Sequence, residues 1–385
     1  MSRRAVHAVL GLWTAASVAG CTTCAQAASP PPSKAELRKA HEHYVSHFVQ
    51  GDGRVVDRAG GGVSTSEGQS YAMVRAVWVQ DRTTFDRARA WMLDNLQAGD
   101  PHQLPSWRWG QREDGSWGIL DENPAADADV WAAYALALGA SLWNDDGMRS
   151  QAKGLLDQIW TREVTRIDEH FVLLPGPWAD GRSVVKINPS YSLPFAYRVF
   201  AELDPEHPWA ELVDDSYWLL NHVTNEHGLQ PDWAWLDATT GKVVPPPDGE
   251  SPQEEFGFEA FRIPWTLAAD ARWYDEARAK ALLSRMDGLR LRWQRDHELP
   301  AVINPDGTAG RDYTYLGLYG ALLPAWGITA PQDAERLYTE AIAPVAGDGS
   351  WGNPDDYYAH NWVWFGLALW SDKTGRGPTP IGRNP

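Results

Sequence analysis

The chain has 385 residues, 43% hydrophobic and 22% charged, enough for one large folded domain or two ordinary ones. Its formal net charge of −17 excludes nucleic acid and acidic membrane surfaces as electrostatic partners, because phosphate binding requires clustered Lys and Arg. Tryptophan is in excess, with 22 against 13 Tyr and 9 Phe. Flat indole faces stack well on ligands, so about a third of them are expected in a binding cleft.

The N-terminus reads as an export leader. Arg3-Arg4 precede an apolar stretch from Ala5 to Ala19, too short to span a bilayer. Val18-Ala19-Gly20-Cys21 resembles a lipoprotein processing site, which would lipidate Cys21 and attach the protein to a membrane. Ala25-Gln26-Ala27 is the alternative, an ordinary secretory cleavage site. The expected location is periplasmic or membrane-anchored, with secretion as the alternative. Cys21 and Cys24 are the only cysteines, so no disulfide is expected in the folded body. Residues 1–33 are assigned to leader and tether, 34–375 to a single domain, and 376–385 to a tail.

Helical periodicity predicts twelve helices, near 34–49, 68–80, 84–97, 127–142, 147–162, 188–203, 208–223, 257–272, 275–290, 312–325, 331–343 and 357–371. Strand-like alternation is sparse, as in His170–Leu174. The odd-numbered segments carry one apolar stripe. The even-numbered ones, such as Val130-Trp131-Ala132-Ala133-Tyr134-Ala135-Leu136, are apolar nearly all round. A helix with one stripe lies at the surface, and one apolar on every side is buried. The pattern predicts an all-α fold, an (α/α)6 barrel of alternating outer and inner helices; an irregular bundle or solenoid is the alternative.

If successive helices are antiparallel, every inner helix starts at the same end. The residues before them should then converge on one mouth: Glu67; Asp127 and Asp129; Asn188-Pro189-Ser190-Tyr191; Glu259 and Arg262; Arg311-Asp312-Tyr313; and Asp355-Asp356-Tyr357-Tyr358. The connections leading there carry Trp107, Trp109, Trp117, Trp178, Trp233, Trp235 and Trp351. Carboxylates and indoles on one rim describe a carbohydrate cleft, in which rings pack on sugar faces and carboxylates hold hydroxyls. Asp residues at helix starts are also ordinary caps. Glu67 is not well explained that way, since Glu is a poor cap and Ser64, Thr65 and Ser66 already supply hydroxyls.

These segments resemble glycoside hydrolase family 8, inverting β-glycanases on an (α/α)6 barrel, and in particular the endo-β-1,4-glucanases of bacterial cellulose-synthesis loci. The resemblance is carried by Thr65-Ser66-Glu67-Gly68-Gln69-Ser70-Tyr71, Leu104-Pro105-Ser106-Trp107-Arg108-Trp109-Gly110, Asn123-Pro124-Ala125-Ala126-Asp127-Ala128-Asp129-Val130-Trp131, Asn188-Pro189-Ser190-Tyr191, Pro231-Asp232-Trp233 and Ala260-Phe261-Arg262. It implies Glu67 as general acid and Asp127 as the group that binds and distorts the sugar at the cleavage point. Tyr71, Trp107, Trp109, Asp129, Tyr191, Trp233, Arg262, Tyr357 and Tyr358 would line the subsites. The place of the family's usual Asp base is held by Glu259, one methylene longer. The base is therefore Glu259 or a neighbouring loop acid, Glu254 or Glu255.

Two functions follow. One is an exported endo-glycanase acting on β-1,4-glucan or a related exopolysaccharide, working beside synthesis and export machinery. The other is a catalytically weak glycan-binding lipoprotein. No cofactor is expected, and no metal: His43 and His47 lie on an exposed helix, and Asp127 with Asp129 lacks the further ligands of a closed site.

Overall fold

The computed structural model describes residues 30–372. The lipidation at Cys21, the cleavage alternative after Ala27 and the tail 376–385 lie outside them. Six apolar helices stand in a closed ring: α2 (Ser66–Val79), α4 (Ala126–Trp143), α6 (Pro194–Leu203), α8 (Ile263–Tyr274), α11 (Leu316–Thr329) and α13 (Tyr357–Ser371). Each packs on the next, and α13 returns to α2. Around them lie α1 (Lys34–Phe48), α3 (Arg82–Leu96), α5 (Asp146–Glu163), α7 (Trp209–His222), α9 (Ala277–Arg285), α10 (Asp287–Asp296) and α12 (Pro331–Leu337). The (α/α)6 barrel is the observed fold.

The sequence explains both layers. In α4 every residue from Ala126 to Ala140 is buried, whereas α3 buries only Thr84, Phe85, Ala88, Trp91, Met92 and Leu96, one stripe of the helix. Ser33 starts α1 with a reciprocal cap, its hydroxyl accepting the Glu36 N–H and the Glu36 carboxylate accepting the Ser33 N–H. The ring closes tightly between α11 and α13, where a Cβ on Gly366 would lie 1.9 Å from the Gly320 carbonyl oxygen. Only glycine permits that approach.

Two outer helices depart from expectation. The predicted helix 275–290 is divided at Met286 into α9 and α10. The turn at Gly228, φ +78°, crosses there so closely that a Cβ on it would sit 1.9 Å from the Arg285 carbonyl oxygen. The predicted helix 331–343 is α-helical only to Leu337. It then widens to a π turn and ends in a short 3-10 turn at Pro344, which has no N–H to continue the helix.

Strand is more frequent than the sequence suggested, and all of it decorates loops. β1 (Ser64–Thr65), β2 (Arg108–Gln111) and β3 (Trp117–Asp121) form one antiparallel sheet. β4 (Val164–Ile167) pairs with β5 (His170–Leu173), and β6 (Val184–Ile187) with β7 (Ala234–Asp237).

Most of the tryptophan is core. Trp131, Trp265, Trp362, Trp364 and Phe365 are fully buried, and with Trp78 they form a ring-on-ring plug along the barrel axis. The barrel is therefore packed along its axis. Trp235 and Trp351, expected on the rim, are buried beneath their loops.

Candidate active site

The mouth is assembled from the starts of all six inner helices. Thr65 caps α2 by accepting the Gly68 N–H, which leaves the carboxylate of Glu67 free to face the axis. Asp127 lies in the first turn of α4. Short 3-10 turns precede α6 and α8 and carry Ser190 with Tyr191 (Pro189–Tyr191), and Arg262 (Ala260–Arg262). Tyr315 precedes α11, and Tyr357 and Tyr358 open α13.

Arg262 binds these groups together. Its Nη1 donates to Asp127 Oδ2 at 2.8 Å and to Glu67 Oε2 at 3.3 Å. Its Nη2 donates to Ser190 Oγ at 2.7 Å and to the carboxylate of Glu259. Asn188 donates its amide to Glu259 Oε2 at 3.0 Å, and the Tyr357 hydroxyl donates to Glu67 Oε1 at 3.0 Å. The Tyr358 hydroxyl donates to the Phe258 carbonyl at 3.1 Å, and the Phe258 ring packs on Tyr315 at 4.9 Å.

Three carboxylates thus face one guanidinium, so full ionisation would leave uncompensated negative charge in a sheltered place. The proton settles on Glu67. Burial, reinforced by the charge of Asp127 and opposed by Arg262, pushes Glu67 up to about 8. Burial also raises Asp127, against the pull of Arg262. A carboxyl kept protonated beside a carboxylate on a second element is the arrangement of a paired general acid and general base.

The flanks are aromatic. Thr65 pairs with Arg108 and Ser64 with Trp109, so the segment entering Glu67 is bonded directly to the strand carrying Trp109. Trp109 stacks on Trp117 at 5.2 Å, and Arg54 lies over both rings. Trp107 is half-buried beside them. On the other flank, β6–β7 pairing brings Trp233 within 6.1 Å of Tyr191.

Several expectations need correction. Asp129 does not reach the cleft. It is completely buried two residues beyond Asp127, about 200° further round α4, and its carboxyl faces Glu163. Arg262 is 3% exposed, with its donors engaged by the carboxylates, so it organises the site and does not line a subsite. Tyr71 is fully buried among Trp131, Trp362 and Phe365, as part of the floor. Helix α11 starts at Leu316, so Asp312 and Tyr313 remain on an exposed loop while Tyr315 meets the site. Glu254 is exposed, and neither it nor Glu255 is bonded to Arg262.

One carboxylate was missed. Asp232, 8% exposed, accepts the N–H groups of Gly257, Glu259 and Ala260. Burial pushes it up to about 7, against the pull of those donors. Among the described residues no group of three His, Cys, Asp or Glu side chains is disposed to hold a metal. His43 and His47 stack on each other, and His47 bonds Asp355.

Residues 8–360 match the glycosyl hydrolases family 8. The chain belongs to this family. The sequence resemblance is confirmed at the level of the family. An endoglucanase of Pseudomonas fluorescens is 37% identical over 208 residues, 52% of each chain. An endoglucanase of Xanthomonas axonopodis pv. citri is 36% identical over 249 residues, 63% of this chain and 62% of that one. The aligned stretches therefore span about half to three-fifths of these relatives. Solved structures extend the likeness to the whole barrel. The endo-1,4-D-glucanase of Vibrio fischeri ES114 superposes with a TM-score of 0.76 at 29% identity, covering 86% of this chain and 94% of that one.

Proposed function

We propose that the protein is an exported endo-acting glycoside hydrolase that cleaves β-1,4-glucan with inversion. The observation that carries this reading is the Arg262 cluster, which holds a protonated Glu67, in the first turn of α2, and the carboxylate of Glu259, just before the turn leading into α8, at one mouth. The relatives called endoglucanases, and the endo-1,4-D-glucanase of matching fold, support the substrate class.

The chemistry follows from the positions. Glu67 donates its proton to the glycosidic oxygen as the bond from that oxygen to C1 breaks. Glu259 takes a proton from a water that attacks C1 from the opposite face, so the new hydroxyl is α. Asp127, held at 2.8 Å by Arg262, accepts from the hydroxyls of the sugar at the cleavage point as it flattens toward the oxocarbenium-like transition state. Trp109 and Trp117 on one flank, and Tyr191 and Trp233 on the other, stack on sugars further along the chain. The retention of Glu259 in the mouth favours catalysis over a purely glycan-binding role. Export through the leader, with attachment through Cys21, would place the enzyme where newly made polymer emerges.

The test is reducing-end release from carboxymethyl-cellulose, mixed-linkage glucan, xylan and chitosan by the wild type, Glu67→Gln and Glu259→Gln. Release is expected from the β-1,4-glucans, and loss of about 10²–10⁴-fold in either variant. Binding without release on every polymer would contradict the assignment.

A further inference from the structure

The residue proposed as base sits in an unusual local position. Glu259 occupies the cap position of the 3-10 turn Ala260–Arg262 but makes no capping bond of its own. Its carboxylate is turned away, toward Arg262 and Asn188. The first N–H groups of a helical turn need acceptors, and a turn whose own cap residue is otherwise engaged leaves them open.

Asp232 fills that gap from a different loop. Its Oδ1 accepts from Gly257 at 2.9 Å, Glu259 at 3.1 Å and Ala260 at 2.7 Å. The fit is close, since a Cβ on Gly257 would lie 2.5 Å from Asp232 Oδ2. The two segments are also joined by backbone bonds, Asp232 N–H to Glu255 O at 2.7 Å and Trp233 N–H to Gln253 O at 3.0 Å. Trp233, the next residue, lines the cleft.

We propose that Asp232 is a positioning residue that acts as a remote cap, fixing the Glu259 backbone so that its carboxylate is held where it activates the attacking water. The inference rests on Glu259 being the base. A carboxylate on a loop is only as well placed as its backbone, and a displacement of about 1 Å in a catalytic group costs on the order of a hundredfold in rate. The same contact ties the Trp233 subsite to the base, so the two move as one unit.

The experiment uses the full chain and 4-methylumbelliferyl β-cellotetraoside, with kcat and KM measured with and without sodium azide. Azide substitutes for activated water: its nitrogen bonds C1 from the α face as the bond from C1 to the aglycone oxygen breaks. The products are the α-glycosyl azide and methylumbelliferone. Glu259→Ala is expected to lose about 10²–10⁴-fold in kcat and to be restored at least tenfold by azide. Asp232→Ala is expected to lose on the order of a hundredfold in kcat with KM within about twofold, and to be partly restored by azide. Asp232→Asn, whose amide oxygen still accepts, should stay within about fivefold of wild type. If Asp232→Ala does not fold, Asp232→Glu carries the test, because the added methylene pushes the acceptor into the Gly257 turn; its kcat should fall and respond to azide. Wild-type kcat in Asp232→Ala or Asp232→Glu, or a loss that azide leaves unchanged while it restores Glu259→Ala, would overturn the proposal. A fully active Glu259→Ala would instead remove the base assignment on which it rests.

Discussion

Two of the buried arginines, Arg75 and Arg262, are used in opposite ways. Arg75, on α2, is surrounded by neutral groups: the carbonyls of Ala40 and His360, the amide oxygen of Asn361, and the ring faces of Tyr44 and Trp364. Burial brings it down to about 9. Arg262, at the mouth, is surrounded by carboxylates. The lower barrel closes around a cation with dipoles and aromatic faces, which fixes shape. The upper barrel places more negative charge around its cation than the cation can balance, so a proton is held in reserve on Glu67. The same residue type is a rivet at one level and a charge reservoir at the other.

The contrast breaks most severely at Glu67. Glu67→Gln should reduce polymer cleavage by about 10²–10⁴-fold while sparing β-cellobiosyl fluoride, whose leaving group needs no proton. In the wild type, polymer cleavage should fall as the pH rises through about 8, because the acid is then deprotonated, whereas fluoride hydrolysis should not share that limb. Equal losses on both substrates would argue against a proton-donor role.

The two arginines provide the next test. Arg262→Met should lower kcat on the order of a hundredfold and move the alkaline limb upward, since the one charge that opposes protonation of Glu67 is gone. Arg75→Met should leave the pH profile in place and instead lower stability by about 2 kcal/mol, as buried carbonyls lose their donor. A shifted profile in Arg75→Met, or an unchanged one in Arg262→Met, would erase the distinction drawn here.

A smaller effect concerns Asp129 and Glu163. Both are fully buried, and no hydrogen-bond donor from the rest of the described residues reaches their carboxyl oxygens, so the two are expected to share a proton. Burial pushes Glu163 up to about 8. The sign follows: its stability contribution is complete below the ordinary carboxylate range and drains as pH rises toward about 8. The wild-type Tm should therefore drop more between pH 5 and pH 8 than that of Glu163→Gln, whose amide donates at either pH. Parallel Tm curves would contradict a shared proton.

The smallest change is expected at Trp117, 50% exposed and stacked on Trp109. Trp117→Ala should weaken glucan binding by about 1 kcal/mol, roughly fivefold in KM, without changing kcat.

The barrel was legible because its inner and outer helices differ over their whole length, as α4 and α3 do. Glu67, Asp127 and Glu259 were legible because each lies at or just before the start of an inner helix. What failed was resolution finer than a helix turn. Asp129 shares its segment with Asp127 yet points to another face, and Arg262 looks like a sugar ligand until Glu67, Asp127 and Ser190, from three other parts of the chain, join Glu259 around it. Asp232 and Tyr315 act through contacts between distant loops, which leave no local pattern. The sequence hint for Asp232 was its place in Pro231-Asp232-Trp233, one of the segments that carry the family resemblance.

The most direct test of the account is the anomeric configuration of the reducing end freshly released from a soluble β-1,4-glucan, followed by proton NMR before mutarotation. Glu67 and Glu259 acting from opposite sides of the bond predict that the α anomer appears first. Initial release of the β anomer would mean a covalent intermediate on one carboxylate and would contradict the assignment of both.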